Sequence, residues 1–444
     1  MDRLTHQKGI SETVRAAART RFLTASARVR EGEARRKHLK EMELFRDVEN
    51  NQGRSKLFWG KFKLLRNSIH VAKSPPPVAT DDQGNTATDP VEVLRVWRKF
   101  SSNIASKEVR GTSEEGIYDE QFQKKVEDRL EWLRSVKHHQ PVLDDPITAG
   151  EVFTAIRKLK MGKAPGEDGI LTDILKTAAD AVNNSKLRGN NTVVEALVLL
   201  FNYVFDKEVW PERWGKGVIF PLHKHDSRLD PSNYRPITLL SIVGKIFGSI
   251  VNARLSSFSE LTGTLADEQG GFRPHRGTPD QVFLLREVLA SRKERGQPTF
   301  ATYIDARKAY DTVWREDAYV RIYDSGVRGK LWRQLQAMHK GITRRVMHPL
   351  GMTDWFEVER GVAQGAVESP WVYANFIDGL AQELKARGLG ICIGGQRIPL
   401  LMYADDIVML AATQQELMLM NRIASRFAQR HRFQFNGEKS GIML

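Results

Sequence analysis

With 444 residues, 41% of them hydrophobic and 27% charged, the chain has enough apolar matter for a large core and is excluded from the disordered classes. No stretch reaches the roughly 18 uninterrupted apolar residues of a membrane span, and the best candidate, VVEALVLLFNYVF, is short and carries Glu195. The single cysteine, Cys392, excludes an intrachain disulfide framework and a cysteine-based zinc module, and a reducing compartment fits it. The net charge is +14, and residues 1–74 hold 18 Lys/Arg against 8 Asp/Glu. An excess of base this dense points to a polyanionic partner, most often nucleic acid. A solvated helix with a charged face explains any one turn of it as well. RAAARTRFLTASARVR also has transit-peptide traits, but the basic run continues past the length of a presequence.

In chain order, residues 1 to about 50 read as long basic helix. SKLFWGKFKLL adds Phe58, Trp59, Phe62 and Leu65 at helical spacing, a packing face. SPPPVATDDQGNTATDP, from Ser74 to Pro90, is the clearest break, Pro-rich and then full of turn residues. A short helix, PVEVLRVWRKFSSNI, follows it. From ITAGEVFTAIRKLKMGKAPGEDGI onward, strand-like and helix-like segments alternate densely. GKGVIFPLHKHD reads as strand, turn and strand. SNYRPITLLSIVGKIFGSIVNARL starts extended and becomes amphipathic helix. FATYID is an apolar strand ending in Asp305; ARKAYDTVWREDAYVRIYDSG continues as helix and closes at Gly326. ESPWVYANFIDGLAQELKARG is another helix. The natural class is mixed α+β.

LLMYADDIVMLAA, from Leu400 to Ala412, interrupts an apolar run with Asp405 and Asp406. On this stretch alone, two strands joined by turn-forming Asp residues are the simpler reading. Adjacent carboxylates at a hairpin tip also repel, and they suit a hard divalent cation with oxygen ligands. A further acid from another strand would complete such a site, and Asp305 is the candidate. Three carboxylates at one sheet edge can hold two Mg²⁺ ions about 4 Å apart, suited to in-line attack of a 3′-hydroxyl on a nucleoside triphosphate. Three separate caps and turns remain an alternative at this point.

YADD, at Tyr403 to Asp406, resembles the signature of reverse transcriptases. YIDARKAYDTV resembles their strand-helix motif with the first catalytic Asp, and RGVAQGAVESPWVYANFI their Gln-Gly segment before the palm helix. NYRPITLLSIVGKIF and GGFRPHRGTPDQVFLLREVL are similar to finger motifs of the non-LTR retrotransposon branch. KMGKAPGEDGI resembles that branch's extra finger element, and FNGEKSGIM the start of the last palm motif. The resemblance covers roughly residues 145 to 444, in family order.

It implies right-hand fingers and palm over 145–444, with an antiparallel palm sheet backed by helices. A basic helical region (1–74) and a linker with short helices (75–144) would precede them. It implies an RNA-directed DNA polymerase acting on an RNA template, a DNA primer and deoxynucleoside triphosphates, with Mg²⁺ or, as a substitute, Mn²⁺. Element RNA, an endonuclease encoded upstream, and a nuclear or cytoplasmic location without membrane attachment go with it. Asp305 and Asp405 match the principal metal ligands and Asp406 the weaker third. Tyr310 matches the ring beneath the sugar, although on spacing alone it equally reads as a core residue. Gln364 and Gly365 match the pair beside the incoming nucleotide, and Lys224 and Arg235 the residues that grip its triphosphate. Arg273 and Arg276 are further template or triphosphate candidates, and Lys439 matches a general acid to pyrophosphate. Where the family has Cys-Pro-Leu, this chain has AVE, so Glu368 is expected to put a negative charge near the nucleotide and impair activity. The chain stops in or just after the last palm motif, so a thumb is expected to be absent and Ile442 to Leu444 exposed. An inactive remnant that only binds nucleic acid, a group II intron-like maturase and a palm enzyme such as a nucleotide cyclase are the other readings. The basic N-terminal segment and the finger motifs argue against the last.

Overall fold

A computed structural model of the chain describes residues 75–107, 118–184, 192–224 and 226–443. The basic helix expected over 1–74, with its aromatic face at Phe58, Trp59 and Phe62, lies outside the described residues. A small hairpin, β1 (Ala79–Thr80) and β2 (Thr86–Ala87), comes first. Helix α1 (Pro90–Ala105) starts where the Asp89 carboxylate accepts from the Val91 and Glu92 N–H groups and proline needs no partner. Helices α2 (Glu120–Ser135), α3 (Ala149–Lys158), α4 (Thr172–Asn184), α5 (Thr192–Lys207) and the short α6 (Glu212–Gly215) follow. A reciprocal box between Thr148 and Glu151 opens α3. No helix of the described residues is long and apolar enough to cross a membrane.

β3 (Lys216–His223) is one strand, where strand, turn and strand were expected. It pairs antiparallel with β4 (Tyr234–Leu240) along its whole length, from Gly217 opposite Leu240 to His223 opposite Tyr234. Its other edge is parallel to a later strand only as far as Ile219, so Pro221 sits where no ladder bond is lost. Helix α7 (Ile242–Thr262), capped by the Ser241 hydroxyl and ended by left-handed Gly263, leads to α8 (Thr278–Glu294) and β5 (Phe300–Asp305). Residues 306–314, expected as helix, form turns instead. Tertiary bonds claim their backbone: Arg307 N–H donates to the Gln434 carbonyl, while the Tyr310 and Val313 carbonyls accept from Val362 and Gly361. Helix therefore begins only at α9 (Arg315–Asp324), followed by α10 (Gly329–Met338).

β6 (Thr343–His348) is the parallel neighbour of β3 and pairs with β7 (Gly351–Met352) and β8 (Phe356–Glu357). Then come α11 (Ser369–Ala386), the hairpin β9 (Ile391–Ile393) and β10 (Gln396–Ile398), β11 (Leu400–Tyr403), β12 (Asp406–Ala411), α12 (Gln414–Arg430) and β13 (Gly441–Met443). The second sheet runs β11-β12-β5-β13, antiparallel throughout. Strands β11 and β12 are buried on both faces. Leu400, Met402, Ile407 and Met409 join the large core, while Leu401, Val408 and Leu410 join a smaller one with Val288 and Ile391. That double burial is why LLMY and IVMLA read as unbroken apolar runs. At the edge, Ile442 and Met443 pair with β5 yet remain exposed.

The loop KMGKAPGEDGI docks on the first sheet through Gly166, where a Cβ would lie 2.6 Å from both the Leu240 carbonyl oxygen and the Ser241 nitrogen. The Gly166→Ala variant should therefore lose about 1–3 kcal/mol of stability, the usual cost of overpacking. The control Gly150→Ala should be near neutral, because its Cβ would meet nothing closer than 3.9 Å. Denaturant unfolding of both variants checks this; equal stabilities would mean that the loop is not docked there.

Candidate active site

Tyr403 pairs with Asp406, so Ala404 and Asp405 alone make the turn between β11 and β12. Ala404 takes a φ of 63°, a left-handed conformation that costs a residue with a Cβ. A brace holds it there. The fully buried Gln269 accepts at Oε1 from the Ala404 N–H at 3.0 Å and from the Gly271 N–H at 2.8 Å. Met402 N–H donates to the Glu268 carbonyl, and Gly270 N–H to the Met402 carbonyl. Gly271 permits this approach, because a Cβ on it would lie 2.2 Å from the Ala404 nitrogen. Sequence reasoning does not single out Gln269 or Gly271; the Gln-Gly-Gly run before FRP is the signal, and it reads as ordinary turn chemistry.

The ladder between β12 and β5 sets Asp406 opposite Asp305, with Ile407 opposite Ile304 behind them. Asp405 sits beside this pair in the turn. Burial raises its carboxyl, its own backbone N–H holds it down, and the charges of Asp406 and Asp305 raise it further, against Arg235. Asp305 is tied from the other side: Asn436 N–H donates to its carbonyl at 2.8 Å, and its own N–H reaches the Ser440 hydroxyl. Asp305, Asp406, Tyr303, Tyr403 and the exposed Lys439 line an open cavity of about 440 Å³. An oxygen-only donor set of like charges fits a hard divalent cation. Among the described residues no three acidic, His or Cys side chains already stand as a finished ligand set.

The cations gather at the same place. Lys224 follows β3, and its N–H donates to the Asn233 carbonyl. Desolvation first, then Arg235 and Lys439, lower its ammonium, while Asp311 and Asp305 act the other way. Arg235 is exposed on β4. The Gln364 carbonyl accepts from Thr238 N–H at 2.8 Å, which ties the Gln-Gly pair to β4. Gly365, at φ 138°, is needed there, since a Cβ would lie 2.4 Å from the Thr238 carbonyl oxygen. The Gln364 amide reaches the Asp311 carboxylate at 3.4 Å. Burial pushes Asp311 up to about 6, opposed by Lys308, Lys224 and Arg360. Sequence reasoning does not single out Asp311 either. Lys224, Asp311 and Gln364 border a second cavity, of about 120 Å³, walled by Trp97 and Phe100 of α1. Asp305, Asp405 and Asp406 are not among its lining residues. Tyr310 is half-buried, stacked on Tyr373 with ring centroids 5.3 Å apart.

Two expectations need correction, those for Arg273 and Glu368. Arg273 is buried and turned inward, with its guanidinium held by Glu260 and by the Ala266 and Gln269 carbonyls rather than presented to template or triphosphate. Arg276 is engaged with the Asp267 carbonyl and carboxylate. Glu368 is buried away from the nucleotide cleft, 2.7 Å from where a Cβ on Gly248 would lie. Burial raises its carboxyl; its own backbone N–H, that of Val367, Arg344 and Lys245 compensate. It occupies the N-cap position of α11, and its side chain makes no capping hydrogen bond there.

A family model described as reverse transcriptase (RNA-dependent DNA polymerase) matches residues 222–444, half of the chain. The chain is 27% identical over 267 residues to the RNA-directed DNA polymerase from mobile element jockey of Drosophila funebris, covering 60% of this chain and 27% of that protein. It is 25% identical over 274 residues to a probable RNA-directed DNA polymerase from transposon BS of Drosophila melanogaster, covering 60% and 28%. It is 28% identical over 267 residues to the Pol polyprotein from the type-1 retrotransposable element R2 of Popillia japonica, covering 60% and 35%. The matched part thus spans between a quarter and about a third of these relatives' lengths.

The brace makes a test of its own. Gly271→Ala should release the hairpin tip and speed amide exchange at Met402 and Ala404 at least tenfold relative to the strand β3, a local opening without global unfolding. Unchanged protection at both amides would show that the turn does not depend on the brace.

Proposed function

Since the chain belongs to the reverse transcriptase (RNA-dependent DNA polymerase) family, we propose that residues 145–444 form the fingers and palm of a non-LTR retrotransposon polymerase. On this reading it extends a DNA primer on an RNA template with deoxynucleoside triphosphates, the element's own RNA being the natural template. The observation that carries it is Asp305 facing Asp406 across the ladder, with Asp405 beside them in a braced turn. Residues 1–74, with their basic excess, would add sequence-independent affinity for nucleic acid.

Each residue then has a task. Asp305 and Asp405 would hold the cations, with Asp406 the weaker third. Bound there, two Mg²⁺ or Mn²⁺ ions would lower the pKa of the primer hydroxyl and neutralise the leaving pyrophosphate. Lys224 and Arg235 would fix the triphosphate by charge-assisted hydrogen bonds. The bond made joins the primer 3′-oxygen to the α-phosphorus, the bond broken releases pyrophosphate, and Lys439 would supply that product with a proton. Gln364, steadied by Asp311, and the backbone at Gly365 would border the nucleotide. The Tyr310 ring, propped by Tyr373, would lie under the sugar and collide with a 2′-hydroxyl.

Asp305→Asn and Asp405→Asn should each abolish primer extension on an RNA template, and Asp406→Asn should damage it less. Extension by Asp305→Asn at the wild-type rate would sink the assignment. A separate expectation concerns sugar choice: Tyr310→Val should raise ribonucleotide use relative to deoxyribonucleotide by tenfold or more, with unfolding little changed. Unaltered discrimination together with lost stability would make Tyr310 a core residue only.

A further inference from the structure

The loop between α7 and α8 arranges two neighbours against their solvation. Arg273 is buried, with its guanidinium on the Glu260 carboxylate at 2.8 Å, while Phe272 beside it is 51% exposed. Water favours the opposite arrangement, with the charge outside and the ring inside. The backbone is strained to produce it. Phe272 has a φ of 60°, and among the described residues it is the only Phe, Tyr or Trp in the left-handed region, where bulky side chains are rare. Both flanks enforce this conformation. On one side the Gly271 N–H donates to Gln269, and a Cβ on Gly271 would lie 2.2 Å from the Ala404 nitrogen. On the other side Arg273 is tied inward to Glu260 and to the Ala266 carbonyl. The exposed ring is thereby held beside Tyr310, edge to face, with centroids 6.5 Å apart and planes at 88°. Strain that its surroundings over-determine, spent on keeping an apolar ring in water next to a site residue, points to a ligand with an apolar face.

We propose that Phe272 is a stacking platform for the template base that awaits the incoming nucleotide, which makes it a positioning residue for the template strand. This rests on the polymerase reading, in which Tyr310 lies under the sugar of the incoming nucleotide and the acids hold the primer end. The strand left for a ring one ring-width from Tyr310 is then the template. Every base has a π-face, so an aromatic ring without a polar group holds any template sequence alike. Stacking rather than charge is what this loop offers, since Arg273 and Arg276 are engaged with Glu260 and Asp267. A base held flat on the ring is presented for pairing in one orientation, with less freedom left to lose when the nucleotide arrives.

The test uses the full 444-residue chain as wild type, Phe272→Gly, Phe272→Leu and Phe272→Tyr, with an RNA template annealed to a DNA primer and no nucleotide present. Glycine removes the ring and suits the left-handed backbone, so its unfolding midpoint should stay within about 2 °C of the wild type. Its affinity for the primer-template should nevertheless fall about fivefold or more. The slope of log K against log salt should not change, because no phosphate contact is lost. Phe272→Tyr should bind within about twofold of the wild type, while Phe272→Leu, apolar but without a π-face, should lose most of what glycine loses. Under light, 5-iodouridine at the templating position should crosslink to Phe272, and 5-iododeoxyuridine at the primer end should not. Unchanged affinity in Phe272→Gly overturns the proposal, and a fallen midpoint beside it makes the ring a packing residue. Should glycine destabilise the chain and weaken binding together, the other two variants decide: equal binding by Phe272→Leu and Phe272→Tyr overturns the stack. A crosslink from the primer and none from the template overturns the choice of strand. A wild-type chain without affinity for the primer-template overturns the polymerase reading and this proposal with it, whereas wild-type affinity that survives Phe272→Gly overturns this proposal alone.

Discussion

The repulsion between Asp305 and Asp406 is the constraint around which this sheet is built. Like charges directly opposite on neighbouring strands destabilise a ladder. Asp405 adds a third charge beside them. The register holds against this repulsion because the rest of both strands has nowhere else to go. A slip of one residue would exchange the sets that face the two cores, moving Met409 and Ile407 to the side of Val408 and Leu410. Two separately filled apolar layers thus force three acids together at one end.

The tip of the hairpin needs a second kind of control, since a two-residue turn with Ala404 in the left-handed region is not stable by itself. The buried amide of Gln269 supplies it by accepting from Ala404 and Gly271 together. The same logic recurs at the Gln364-Gly365 pair, where the absence of a side chain lets the backbone lie against Thr238. At both places glycine allows two chain segments to touch, and a side-chain amide or carboxylate secures what touches. The cationic side chains Lys224, Arg235 and Lys439 then converge from separate elements without pairing away the acids. Their mutual effect on Lys224 is the electrostatic sign of that convergence.

Much of this was legible in the sequence, and for physical reasons. LLMYADDIVMLAA is visible because sheet strands buried on both faces must be apolar along their length, so a carboxylate in them stands out. The segment Arg315–Asp324 was legible as helix but its start was not, since hydrogen bonds to residues 361–362 and 434 claim the backbone before it. The Gln269 brace and the inward turn of Glu368 were likewise hidden. Each depends on a partner far off in sequence, and nothing local to Glu368 says that Lys245 and Arg344 will meet it. Arg273 shows the opposite error: a basic residue in a motif that resembles a nucleic-acid contact spends its guanidinium on Glu260.

The most direct test of the account is a crystal structure of the chain with an RNA template, a DNA primer, an unreactive nucleotide and Mn²⁺, read by anomalous scattering. The account predicts two manganese peaks between the strands, with Asp305 and Asp405 as shared ligands and the triphosphate lying toward Lys224 and Arg235. Manganese bound elsewhere, or peaks that leave Asp305 and Asp405 without contact, would contradict it.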